Sequence, residues 1–187
     1  VWYPYSNMNE PGKFIMIDGL EFIPKQSGPG KIAISTYRYI SDASNDKDAR
    51  LLNDGVVEKE KQVSFGAYSD IPDISFDLGG IYKVTKIQVE AIAVPAHNIS
   101  TITLYSSLDG KKWEQAGVIS NKETGGEEKH QVIEGEGLGI VGRYIRLTFD
   151  RLRSDFPIHI GEVTLYGALA NEKDMQDFAL KTYSIGP

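Results

Sequence analysis

Short runs of alternating apolar and polar residues, separated by Gly, Asn, Asp and Pro, dominate the chain. A period of two puts the apolar side chains on one face of an extended strand, so the pattern predicts half-buried strands and an all-β sandwich. Ile102 and Leu104 alternate with Thr101, Thr103 and Tyr105; Ile145, Leu147 and Phe149 with Tyr144, Arg146 and Thr148; Val163 and Leu165 with Thr164 and Tyr166. Further strands are predicted over residues 31–36, 73–78, 113–119 and 129–133. Within residues 81–94 the apolar phase runs Tyr82, Val84, then Ile87, Val89 and Ala91, slipping by one residue near Thr85-Lys86. A β-bulge there restores the inward face. Leu78-Gly79-Gly80 and Leu108-Asp109-Gly110 read as turns. Only residues 171–181 predict a helix, with Met175, Phe178 and Ala179 on one face; following the last strand, it reads as a linker.

Residues 14–22 echo residues 158–166, both reading as a strand kinked near an acidic residue. The second copy closes the main domain. The first is either the closing strand of an upstream sister domain or an extra strand of this one, with Gln26-Ser27-Gly28-Pro29-Gly30 as a linker in the former case. The expected organisation is residues 1–30 as extra strand or upstream tail, residues 31–168 as the sandwich, and residues 169–187 as a C-terminal tail or linker with helical potential.

Composition narrows the function classes. With 187 residues the chain can bury a proper core. The net charge is −6 and the longest basic run is Lys111-Lys112, which argues against nucleic acid, since phosphate binding needs clustered cations. The absence of cysteine excludes disulfides, thiolate metal sites and cysteine nucleophiles. No apolar run approaches the roughly 18 residues of a membrane span. The sequence begins at Val1 without a recognisable signal peptide and reads as a processed or excised piece.

Catalytic signals are weak. Gly137-Leu138-Gly139-Ile140-Val141-Gly142 matches G-x-G-x-x-G, but an alternating strand follows where a dinucleotide site needs a helix, so these glycines read as a flexible connection. His97, His130 and His159 have no metal-ligand spacing, and His159 is expected to face outward between Ile158 and Ile160. No G-x-S-x-G elbow occurs, and Asp70, Asp73, Glu127 and Glu128 read as solvated loop carboxylates with nothing to select a glycosidase pair. The expectation is a non-enzyme. Trp113 reads as core, and Arg143 and Tyr144 as structural.

Four segments, in order, resemble discoidin-type (coagulation factor 5/8 type C) domains and their carbohydrate-binding relatives. They are Leu51-Leu52-Asn53-Asp54-Gly55, Phe76-Asp77-Leu78-Gly79, Ser107-Leu108-Asp109-Gly110-Lys111-Lys112-Trp113, and Gly142-Arg143-Tyr144-Ile145-Arg146-Leu147 with Ile160-Gly161-Glu162-Val163-Thr164-Leu165-Tyr166-Gly167. Tyr37-Arg38-Tyr39 and residues 42–48 resemble bacterial versions attached to glycan-processing or surface proteins. The resemblance implies a discoidin-like jelly-roll β-sandwich of eight strands with ligand loops at one end. It also implies a structural calcium, with Asp54 and Glu162 at the matching positions and main-chain carbonyls near Leu51 and Val57 as partners.

A sugar site needs an aromatic face and a few polar groups carried on loops. The candidate loops are residues 64–73 with Tyr68, residues 94–98 with His97 and Asn98, and residues 151–157 with Arg153, Asp155 and Phe156. Asn98 matches an Asn of galactose-binding relatives, whereas no Arg of that loop does. Asn98-Ile99-Ser100 is also an N-glycosylation sequon. The reading is a non-catalytic carbohydrate-binding module of a larger extracellular or cell-surface protein, its partners being carbohydrate and neighbouring domains. The alternative is a scaffold packed against a catalytic domain without binding glycan. Phospholipid recognition ranks lower, because Ile71 and Phe156 are the only apolar loop tips.

Overall fold

The computed structural model describes residues 29–41, 45–67, 71–94, 99–122 and 127–183. The strands are β1 (Gly30–Lys31), β2 (Thr36–Tyr39), β3 (Val63–Phe65), β4 (Asp73–Ala93), β5 (Ile99–Ser107), β6 (Glu114–Ser120), β7 (Lys129–Arg151), β8 (Ile158–Ile160) and β9 (Glu162–Leu169). One helix, α1 (Glu172–Tyr183), and two 3-10 turns, Leu51–Asn53 and Lys59–Lys61, complete the described elements. The larger sheet runs β1-β9-β4-β7-β5-β6, with β2 also on β4, and β3 pairs with β8 in a second sheet. Every pairing is antiparallel. The expected all-β, discoidin-like architecture is what the chain adopts.

The long strands β4 and β7 organise this arrangement, because each serves two neighbourhoods. Asp73–Asp77 of β4 faces Thr148–Tyr144 of β7, and these halves carry β2 and β5 on their outer sides. Beyond the interruption, Tyr82 faces Gly142, and from there β4 pairs with both β9 and the first half of β7. At the interruption the chain passes through Gly79, whose amide donates to the Asp77 carboxylate at 2.8 Å. Phe76, Ile145, Leu147, Phe149, Ile102 and Leu104 are fully buried in alternation, as their period of two dictates.

The predicted bulge is present. Val84 faces Gly167 and Lys86 faces Tyr166, which leaves Thr85 as the extra residue against β9. Val84, Ile87, Val89 and Ala91 are accordingly all buried. On the other side, Val84 faces Ile140 and Lys86 faces Glu136, so residues 137–139 form the compensating irregularity in β7. Gly137 (φ 66°) and Gly139 (φ 63°) take left-handed backbone there. The G-x-G-x-x-G run is therefore part of a bulged strand. It is neither a connection nor the mouth of a dinucleotide site.

Other expectations need correcting. Residues 31–36 are not one strand: they span the end of β1, an irregular stretch containing buried Ile32, and the start of β2. Gly30, a linker residue only if residues 14–22 close an upstream domain, pairs with Gly167. Trp113 lies outside the core and is only half-buried, with the Arg146 guanidinium 5.8 Å from its ring. Asp73 is not a solvated loop carboxylate: it is buried and paired with Arg146, whose Nε donates at 2.8 Å and whose Nη2 also reaches it. Both corrections have one cause. A residue on the outer sheet face finds its partner on a strand distant in sequence, and period alone cannot name that partner.

Helix α1 lies within the stretch read as a C-terminal tail or linker with helical potential, and it contacts the sheet. The Asp174 amide donates to the Asn171 side chain at 2.9 Å and the Asn171 amide to the Asp174 carboxylate at 3.1 Å, a reciprocal N-terminal cap. Lys83 on β4 donates to Asp174 at 2.7 Å, and the Ala170 amide donates to the Ile81 carbonyl at 2.9 Å. Met175, Phe178 and Ala179 are each half-buried, as a shared face requires. The echo segment 14–22 and Asp70 lie outside the described residues.

Gly167 shows how tightly β9 is seated. A Cβ there would stand 2.1 Å from the Lys83 carbonyl oxygen of β4. Backbone cannot yield as a flexible side chain does, so Gly167→Ala is expected to cost about 3 kcal/mol or more. Urea unfolding monitored by tryptophan fluorescence checks this, and a melt within 0.5 kcal/mol of wild type, about the scale of neutral surface changes, contradicts it.

Candidate functional site

Two regions bring predicted site residues together. The first surrounds the C-terminal end of β7. Arg151 Nη2 donates to the Gly66 carbonyl at 2.7 Å, Arg151 faces Ile99 in the ladder, and the Phe149 amide donates to the Pro72 carbonyl at 2.9 Å. Hydroxyl contacts add to this, with Ser100 Oγ on the Asp150 carbonyl at 3.2 Å and Thr101 Oγ1 on the Asp150 carboxylate at 2.6 Å. The stems of the 64–73, 94–98 and 151–157 loops therefore meet at one end of the sheet. Tyr68, His97 and Asn98 themselves lie outside the described residues.

Arg153 and Phe156 are placed, and they touch. The guanidinium carbon of Arg153 stands 4.7 Å from the Phe156 ring centroid, a cation–π separation. Arg153 also grips Asp155, with Nε on Oδ1 at 3.1 Å and Nη2 on Oδ2 at 2.7 Å. That pair holds the Asp155 carboxyl below the usual carboxylate range. Such an exposed pair adds little stability, but it orients the guanidinium and with it the ring. Arg151, unnoticed in the sequence, is the anchor of this end. Burial pushes its guanidinium down. No local spacing marks Arg151, because its partner Gly66 belongs to a different loop.

The second region unites Asp54 and Glu162. Glu162 is buried, and its Oε2 accepts the Gly55 amide at 3.1 Å. Its Oε1 is buried without a hydrogen bond, and Lys31 Nζ stands 3.8 Å from it. Burial pushes the Glu162 carboxyl above its ordinary value; Asp54 and Glu90 push the same way, while the Gly55 amide and Lys31 oppose them. Asp54 accepts the Val56 amide at 2.9 Å, closing a tight Asx turn. Among the described residues no three His, Asp or Glu side chains gather as a metal cluster. A cation here would therefore need main-chain carbonyls beside the two carboxylates, which is the donor set a hard ion such as calcium accepts.

The loop bearing Asp54 is built on a buried carboxylate. Asp46 accepts the hydroxyls of Tyr37 at 2.8 Å and Tyr39 at 2.5 Å, the Arg50 amide at 3.0 Å and the Leu51 amide at 3.2 Å. Tyr37 in turn accepts the Leu52 amide at 2.9 Å. Asn45 continues the tie, donating to the Gln62 carbonyl at 2.7 Å and accepting the Ser64 amide at 3.0 Å. Gln62 then brackets Ile92, accepting its amide at 2.6 Å and donating to its carbonyl at 2.9 Å. Burial alone would raise the Asp46 carboxyl, but the Arg50 amide, the Tyr39 and Tyr37 hydroxyls and the Leu51 amide hold it below the usual carboxylate value.

The profile of the F5/8 type C domain matches residues 32–159, well over half of the chain. This chain belongs to the F5/8 type C domain family. No curated protein sequence matches it significantly. Among solved structures, the F5/8 type C domain described here is similar to the CBM32 module of AlyQ in complex with 4,5-unsaturated mannuronic acid, with a TM-score of 0.57, 16% identity, and coverage of 73% of this chain and 97% of that one. The C-terminal domain of a chitobiase from Bacteroides fragilis gives a TM-score of 0.54 at 18% identity, covering 76% of this chain and 100% of that one. A CBM32 module of Clostridium perfringens CpGH89, in complex with GalNAc-β-1,3-galactose, gives a TM-score of 0.53 at 15% identity, covering 75% of this chain and 100% of that one. At such identities the likeness establishes the fold of the F5/8 type C domain.

Asp46→Asn replaces an acceptor-only carboxylate by an amide whose NH2 faces donors. The expected loss is about 2–3 kcal/mol, the cost of stranded buried polar groups. Because the folded-state carboxyl lies below its unfolded value of about 3.9, its contribution is fully present above that value and disappears as pH falls through the folded one. The wild type should therefore lose more stability than the variant when urea melts are taken at pH 7 and again near pH 3. Parallel losses would show that Asp46 is not the linked group.

Proposed function

We propose that the chain is a non-catalytic carbohydrate-binding module. It tethers a larger extracytoplasmic protein to glycans through the loops gathered at the end of β7. The observation that carries this reading is the contact network of Arg151. It joins the stems of three loops, one of which presents Phe156 with its ring set by Arg153 and Asp155. An aromatic face beside fixed polar groups is what a pyranose requires, since its C–H face packs on the ring while its hydroxyls take directed hydrogen bonds. Membership in the F5/8 type C family supports the reading, as does similarity to CBM32 modules in complex with sugars. Tyr68, His97 and Asn98 belong to the same loops and complete the proposed site. No helix among the described residues is long and apolar enough to cross a membrane. Tethering raises the local concentration of substrate for an attached domain without any chemistry in the module itself.

A glycan-array screen of the wild type, followed by calorimetry on Phe156→Ala, tests this. The expected outcome is a specific glycan signal that weakens at least ten-fold in the variant, about 1.4 kcal/mol. Silence across a broad array favours the scaffold role, and unchanged affinity in Phe156→Ala moves the site off these loops.

We also propose a structural calcium held by Glu162 and Asp54 with carbonyl oxygens near Leu51 and Val57. The buried Oε1 of Glu162 supports it: it has no hydrogen bond and only the exposed Lys31 ammonium at 3.8 Å, and a buried carboxylate oxygen without a donor is costly unless a cation satisfies it more closely. Bound only by the folded chain, calcium adds about 2.7 kcal/mol at a hundred times its dissociation constant. Thermal melts in calcium should lie several degrees above those in EDTA, and Glu162→Gln should remove the difference. Identical melts would dispose of the site.

A further inference from the structure

A different surface of the sheet is concave. The outer face of the sheet near the Asp109-Gly110 turn is hollowed into a trough of about 460 Å³. Its lining includes Thr36, Arg38, Ser75, Asp77, Lys111 and Tyr144. The register explains why these residues meet. Thr36 faces Asp77, which faces Tyr144, which faces Ser107; one row over, Arg38 faces Ser75, which faces Arg146. Residues two apart on a strand share a face, so both rows point outward while Tyr37, Phe76 and Ile145 point into the core.

The charges in the trough are unequally engaged. Asp77 is gripped by Arg143, with Nε on Oδ1 at 2.9 Å and Nη2 on Oδ2 at 3.0 Å, and it also takes the Gly79 amide. Asp109 accepts the Lys111 and Lys112 amides at 2.8 and 2.9 Å. Both carboxylates are thus satisfied by donors of the fold. The Arg38 and Lys111 side chains are exposed, and among the described residues neither has an ion-pair or hydrogen-bond partner. A chain of net charge −6 accordingly carries, on this face, a concavity bordered by two uncommitted cations. A recessed surface concentrates such a field more than a convex one does.

We infer that this trough binds a sugar acid, its carboxylate meeting Arg38 and Lys111 and its ring hydroxyls meeting Thr36. Arg38 suits the role because a guanidinium grips a carboxylate with two parallel hydrogen bonds, and Lys111 adds a mobile point charge. The volume lies within the range of small-molecule sites. The ligand class rests on the carbohydrate-binding reading, whereas the position rests on the trough alone and is separate from the loops around Phe156.

The probe is tri-galacturonate, compared by calorimetry on the full chain with its neutral methyl ester. Wild type should bind the triacid at least ten-fold more tightly than the ester. The double substitution Arg38→Gln with Lys111→Gln, on two exposed side chains, should erase that preference, while Phe156→Ala should retain it. Absence of triacid binding, equal affinity for the ester, or a preference unchanged by the double substitution overturns the inference. So does a preference abolished by Phe156→Ala. Failure of the loop site would instead appear as neutral-glycan binding indifferent to Phe156→Ala, with the triacid preference intact.

Discussion

The ladder between β4 and β7 is the constraint on which the rest depends. Every other strand of the larger sheet attaches to one of these two or to a strand that does. Their pairing persists through two irregularities, from Asp73 opposite Thr148 to Ala93 opposite Lys129. Continuity of backbone hydrogen bonding is an obligation for buried strands, since an unpaired N–H or C=O is costly away from water. Meeting it over such a length fixes where each loop leaves the sheet. The end of β7 becomes the junction of three loop stems, and the interruption opposite Arg143 places the Asp109-Gly110 turn beside Asp77 and Tyr144.

The two carboxylates that build the Asp54 loop have opposite environments. Asp46 is saturated with donors from two hydroxyls and two amides, so its burial is compensated. Glu162 receives one amide on one oxygen and none on the other. The first fixes the shape of the loop before any ligand arrives. The second keeps an unsatisfied acceptor beside it. Order without satisfaction is a familiar arrangement at binding sites, where preorganisation lowers the entropy lost on binding.

What the sequence disclosed follows from how local each signal is. Alternation at 102–104, 145–149 and 163–165 placed the buried residues correctly, because the pleat makes facing a local property. The phase slip at Thr85-Lys86 located a bulge for the same reason. Motif order brought Asp54 and Glu162 to one place across a long separation. Partnerships across strands were not legible. Arg146 takes Asp73 and lies over Trp113, Arg151 takes Gly66, and Lys83 takes Asp174, each from a distant part of the chain. The glycines at 137 and 139 misled because the same composition serves a loop, a phosphate cradle or a bulge, and only the facing strand decides among them.

The Tyr37–Tyr39–Asp46 contact also gives this domain an internal optical gauge. Burial pushes both hydroxyls above the ordinary tyrosine range, and the hydrogen bonds to the neighbouring carboxylate reinforce this. Ionisation of either ring is opposed while the contact holds, because a second anion would then lie against the first. These two chromophores should therefore ionise after the surface tyrosines, and more readily once the segment around Asp46 opens. In an alkaline pH jump, tyrosines at the surface would change absorbance at once. The lagging remainder would record, without label or ligand, how often the ground beneath the Asp54 turn gives way.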